Sequence, residues 1–168
     1  MKRLFILMFL ANVVLTLISL AVLPERIAIH FGADGMADGW GSKFGNTAFM
    51  TFVQVLLFCT LLFSAGLMRA LPVRWVNLPN KNYWLNPENR GRSLDTIQNF
   101  MWRFGVSIFL FLFVVNFLAF QANLAEPVRL NLKEFLPALA FLFAYTIWWT
   151  IMFFRAFRLP AQPAEGKG

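Results

Sequence analysis

Long apolar runs broken by short polar joints set the pattern of this chain. Residues 4–23, 47–68, 104–121 and 135–154 are dominated by apolar side chains, and none of the four runs contains a charged one. Crossing ~30 Å of hydrocarbon takes about 20 residues at ~1.5 Å each. Each run is therefore long enough, or nearly so, to span a bilayer, the third gaining length from Met101 and Trp102. Lipid offers backbone groups no partner, so each run is expected to be helical. The first, behind Lys2 and Arg3, is longer than the apolar part of a secretion signal, and Leu23-Pro24-Glu25 is a poor cleavage site, which reads as a retained helix. The expected fold is all-α integral membrane: a four-transmembrane-helix bundle with a small extracytoplasmic loop or hairpin cap. It forms one membrane domain over residues 1–158, with 159–168, "LPAQPAEGKG", as a disordered tail.

Polar positions inside the runs follow helical spacing. Asn12, Thr16 and Ser19 share one face of the first run, and Thr47, Thr51 and Gln54 share one face of the second. Ser19 and Thr51, and likewise Thr16 and Gln54, lie at equal depth in antiparallel helices, so the two stripes are expected to meet as interhelical glue worth ~0.6 kcal/mol per hydrogen bond. Asn116 reads as a lone packing contact. A polar translocation path is the sharper alternative, but no ionisable side chain lies at depth, where ion-coupled carriers usually need one.

Among the joints, 69–103 is long for a helix connection, so it should hold structure. Trp75, Tyr83, Trp84 and Trp102 mixed with basic residues fit the headgroup layer, with docking of a cytoplasmic partner as the alternative. Asn86 and Pro87 read as N-cap and first helical position, and Leu94, Ile97, Met101 and Phe104 as one face of an interfacial helix running into the third span. In 24–46, Ile27, Ile29 and Phe31 alternate with Ala28 and His30, a short strand signal. Glycine–aspartate turns follow, and Asn46 is placed to cap the second span.

Composition agrees with this picture. Apolar residues make up 59 % and charged ones 14 %, and there are 21 phenylalanines, against roughly a quarter charged in soluble domains. The net charge of +7 comes from basic residues at span ends, where they meet lipid headgroups, and does not point to nucleic acid. Eleven of the 15 Lys and Arg fall on the side of the two termini and of 69–103. Positive charge marks the cytoplasmic side, so both termini are expected inside a cell inner or plasma membrane, with 24–46 outside. The single Cys59 excludes an internal disulfide.

Candidate chemistry gathers in "HFGADGMADGWGSK", residues 30–43. His30, Asp34 and Asp38 are conceivable ligands for zinc or a harder ion, but glycine-rich spacing fixes no reach. Turn chemistry is the plainer reading: Asx turns at Asp34 and Asp38, an Asp38–Lys43 pair, His30 stacked on Trp40 or bonded to a loop carbonyl, and Trp40 as an apolar lid. Hydrolysis is disfavoured, since Gly41-Ser42 lacks a nucleophile-elbow pattern. As a binding surface the loop would use His30, Asp34, Asp38, Trp40 and Lys43.

The stretch "LPERIAIHFGADGMADGWGSK" resembles the small DUF1648 family, whose members carry Leu-Pro-x-x-Ile-x-x-His-Phe, a glycine–aspartate turn and Trp-Gly-Ser-Lys. Here these are Leu23, Pro24, Ile27, His30, Phe31, Gly35, Asp38, Trp40, Gly41, Ser42 and Lys43. Ala28 stands where members often have proline. "NLPNKNYWL" and "PENR" also look like stretches in membrane proteins of this family. The resemblance implies a multi-span bacterial membrane protein with this motif outside the first helix. One branch includes a toxin-immunity and signalling protein, though the family has no agreed activity. The expected function is therefore a non-enzymatic accessory, immunity or sensing protein without cofactor. Its partners would be the lipid bilayer and a peptide or membrane protein at the outer loop. A small-molecule permease subunit and a metal-dependent envelope enzyme are the alternatives.

Overall fold

The computed structural model describes residues 1–160, so most of the tail expected to be disordered lies outside the described residues. Helix α1, Lys2–Val22, stops at Leu23, which is extended because Pro24 follows it. Strands β1, Arg26–Phe31, and β2, Ala37–Ser42, form an antiparallel hairpin. Helix α2, Lys43–Leu62, starts directly after β2. Its cap is Ser42, whose hydroxyl accepts from Gly45 N–H at 3.3 Å, and not Asn46. The apolar run begins only at the second turn, and its edge hid the true start. Then come α3, Ser64–Ala70, a 3-10 turn at Val73–Trp75, α4, Lys81–Trp84, α5, Arg90–Asn123, and α6, Leu132–Ala156. Four of the helices, α1, α2, α5 and α6, are long and apolar enough to cross a membrane.

The centre of the bundle is α5, which packs on α1, α2, α3, α6 and the first strand. At Gly105 the Phe5 ring of α1 lies against the α5 backbone, where an added Cβ would meet it at 2.4 Å. Phe5, Phe9, Phe58 and Phe109 fill the space beside it, with ring centroids 4.1–6.4 Å apart. One turn along α1, fully buried Asn12 donates to its own helix at Met8 O, 2.9 Å, and to Phe109 O of α5, 2.8 Å.

This corrects the expected pairing of polar stripes. Asn12 joins α1 to α5 rather than to α2. Thr51, expected opposite Ser19, is exposed, and Ser19 bonds Leu15 O within its own helix. Depth matching says which residues share a level, not which helix stands beside which. Here a twenty-residue joint with its own hairpin frees α1 and α2 from being each other's main partner.

The second apolar run, expected to be one helix, breaks at Phe63. Gln98 of α5 supplies the missing backbone partners. Its Nε2 donates to Leu61 O at 2.9 Å, and its Oε1 accepts from Ala65 N–H at 3.0 Å and from the Ser64 hydroxyl at 3.2 Å. One carboxamide thus satisfies the end of one helix and the start of the next. Gln98→Leu is expected to cost about 2 kcal/mol, because it strands buried polar groups. Denaturant titration in mixed micelles measures this, and an unchanged midpoint would deny the bridge its role.

At the end of the bundle where α1 begins and α6 ends, Val76, Leu78, Leu85, Ile97 and Phe157 form a second buried cluster. The Trp84 indole N–H and Asn80 Nδ2 both donate to Phe157 O, at 2.9 and 2.8 Å, tying the end of α6 down. Trp84 packs against this cluster, while Trp75 is exposed. The expected helix through 94–104 is present, but it is the first third of α5 and packs on this cluster. Asn86 does not cap it: its Oδ1 accepts from Asn89 N–H at 2.8 Å in a turn, and α5 begins at Arg90.

Candidate functional site

The hairpin is held to the helices at two places. At the first, Asn123, the last residue of α5, works like an extra strand. Its Oδ1 accepts from Ala28 N–H at 2.7 Å, and its Nδ2 donates to Ala28 O at 3.1 Å and to Ala119 O at 2.9 Å. At the second, the tip of the hairpin meets the α5–α6 connection. Leu130 N–H donates to Gly35 O at 2.8 Å, Ala37 N–H donates to Val128 O at 3.3 Å, and the Arg129 guanidinium donates to Asp34 O at 2.9 and 3.2 Å. Only glycine fits at position 35, where φ is +83° and a Cβ would come within 2.7 Å of Leu130 O.

The strand expected from the Ile27/Ile29/Phe31 alternation is present, but its alternation is not. Ile27 and Ala28 are buried, and Ile29 is exposed. The register slips once on each strand, at Ile29 and at Asp38, so that Ala28 faces Trp40, His30 faces Gly39 and Phe31 faces Ala37. Such bulges re-aim side chains. Here they bring His30 Nδ1 to 2.5 Å from Asp38 Oδ1, with both groups in the open.

Each of the other expected residues has its own place. Asp34 makes the expected Asx turn, its Oδ1 accepting from Met36 N–H at 3.0 Å. It is thereby turned into its own loop, and among the described residues no three His, Cys, Asp or Glu are grouped to hold a metal ion. Trp40 is no lid: it is 44 % exposed, because Gly39 and Gly41 occupy the face of β2 on which Ile29 and His30 lie. Lys43 does not pair with Asp38. Its side chain, 13 % exposed, turns inward, and Nζ donates to Leu23 O at 2.9 Å and meets Glu25 Oε1 at 3.2 Å.

Lys43 lines a cavity of about 60 Å³ beneath the hairpin, which is room for a few waters or one small polar group. Thr16 and Ser19 of α1, Asn46 and Thr47 of α2, and Asn116 of α5 line it too. Asn116 and Asn123 were the residues that sequence reasoning undervalued. For Asn116 the signal was that an apolar run seldom carries a carboxamide without a partner for it; Asn123 lies beyond the run and carried no such signal.

These features define a helical protein with four helices long and apolar enough to cross a membrane, and a two-stranded hairpin hydrogen-bonded across one end. Residues 7–55 match the family described as "Domain of unknown function (DUF1648)", a stretch that runs from α1 through the hairpin into α2 and bears out the resemblance read from the motif. Comparison with curated proteins and with solved structures gave no match.

Proposed function

We propose that this is a multi-pass membrane protein, bacterial and non-enzymatic, that acts as an accessory, immunity or sensing protein by binding a second polypeptide through its hairpin. The observation that carries the reading is a contrast in fixation. The hairpin backbone is clamped at Ala28 and at its tip, while Ile29, the His30–Asp38 pair and Trp40 stay exposed. Side chains displayed on a rigid support lose little freedom on binding, and aromatic residues such as Trp40 commonly anchor interfaces. Exposed apolar rows such as Leu7, Leu10, Val14 and Leu17 on α1, or Phe143, Ile147 and Ile151 on α6, suit lipid contact. Basic residues crowd the opposite end, which supports placing the hairpin outside and both termini in the cytoplasm. The permease alternative needs a polar path from end to end, and the four-phenylalanine cluster weighs against it.

One experiment in intact cells tests this reading. In a Cys59→Ser background, Ala33→Cys should react with a membrane-impermeant thiol reagent, whereas Tyr83→Cys should react only after lysis. A photo-crosslinking residue at Trp40 should give one discrete protein adduct that weakens severalfold with His30→Ala, and the same residue at Ile147 should not give it. Labelling of Tyr83→Cys from outside would overturn the orientation. Identical adducts at Trp40 and Ile147 would overturn the recognition surface.

A further inference from the structure

We infer that the cavity beneath the hairpin is a binding site for an oxyanion, a carboxylate or phosphate group, held by the Lys43 ammonium. This goes beyond the hairpin's partner and does not depend on which side the hairpin faces.

Three observations carry it. First, the cavity concentrates donors. An ammonium carries three N–H groups, and two of those of Lys43 are accounted for by Leu23 O and Glu25. The hydroxyls of Thr16 and Thr47 and the carboxamides of Asn46 and Asn116 stand around the same space. Second, Glu25 is an exposed carboxylate already resting against Lys43. It shows the kind of group this ammonium accepts, and it can be displaced by another of the same chemistry. Third, the polar character continues below the cavity. Asn12 and Gln54 lie one turn beneath Thr16 and Met50, about 15 and 17 Å in from the hairpin ends of their helices. Both side chains are at least 97 % buried, yet Asn12 Oδ1 has no donor and Gln54 Nε2 no acceptor among the described residues. One turn further down, Phe9 and Phe58 stack at 4.1 Å and close the floor.

The experiment uses thiol chemistry in the full chain with Cys59→Ser. Thr16→Cys and Asn116→Cys, each in detergent micelles, are treated with a sulfonate-bearing methanethiosulfonate and with its quaternary-ammonium analogue. Relative to a free thiol, the anionic reagent should react faster than its cationic analogue, roughly fivefold or more once Glu25→Gln has removed the carboxylate that partners Lys43, the ratio expected from one positive charge several ångströms away. Lys43→Gln should bring the ratio close to that of the free thiol, and Lys43→Arg should keep it. Failure of both cysteines to react, or a ratio indifferent to Lys43→Gln, overturns the site.

A second arm leaves Lys43 in place, so it stands even if Lys43→Gln does not fold. Labelling of Thr16→Cys is timed in phosphatidylcholine nanodiscs with and without added inorganic phosphate or acetate, and in nanodiscs containing phosphatidylglycerol. Slowing by the added salts, beyond that caused by equal chloride, assigns a soluble oxyanion. Slowing only by phosphatidylglycerol assigns a lipid headgroup. Slowing by neither overturns the proposal.

Discussion

Gly105→Val is expected to be among the most damaging single substitutions in this chain, costing about 3 kcal/mol. A Cβ alone would lie 2.4 and 2.5 Å from two Phe5 ring carbons and 3.3 Å from Leu61 Cδ1. Phe5 cannot yield easily, because it is fully buried and stacked on Phe58 at 5.1 Å. Helix α1 would have to lift from α5, and the Asn12 bond to Phe109 O one turn along would stretch with it. Unfolding by a denaturing detergent in mixed micelles measures the loss. The cause is checked by a double variant: Gly105→Ala with Phe5→Leu should recover much of the stability that Gly105→Ala loses alone. Equal losses with and without Phe5→Leu would place the damage elsewhere.

Asn123→Leu is the second large effect, with a different signature. It removes both partners of the Ala28 backbone, and Ala28 is 3 % exposed, so an N–H and a carbonyl are left unmatched where water hardly reaches. Each such group costs about 1–3 kcal/mol, for a combined loss of about 3 kcal/mol in the docking of the hairpin. The helices keep their own contacts, so the helical signal should melt almost as before. Amide exchange in β1 should rise at least tenfold, and protease should cut near Ala33. Unchanged exchange at Ala28 would show that the hairpin needs no clamp.

The helices were legible from sequence because burial in lipid and burial in protein demand the same thing of them, an unbroken apolar run. The joint with the motif was legible as a strand because β-branched and aromatic residues crowd Ile27–Phe31. What was not legible depends on partners far along the chain. Ile29 faces out because two bulges slip the register, and bulges carry no hydropathy signal. Trp40 lies open because glycines take the other face of β2. Lys43 turned inward, where a turn-closing pair with Asp38 was the simpler local reading, because Leu23 O and Glu25 stand closer. Gln98 sits in a run that reads as an amphipathic surface, and nothing local marks it as the bridge across Phe63. Of the alternative metal ligands, the bulges bring His30 and Asp38 together, while the Asx turn keeps Asp34 in its own loop.

The clamp on Ala28 also sets an order of assembly. Ala28 and Asn123 are 95 positions apart, as are Asp34 and Arg129. A chain made from its amino end exposes both strands of the hairpin long before either anchor has been synthesised. The hairpin can pair with itself at once, but its seat is completed only when the end of α5 and the connection after it have arrived. Until then Ala28 must leave its backbone groups to water. The hairpin is thus translated before both of its anchors and is among the last parts to reach its final surroundings.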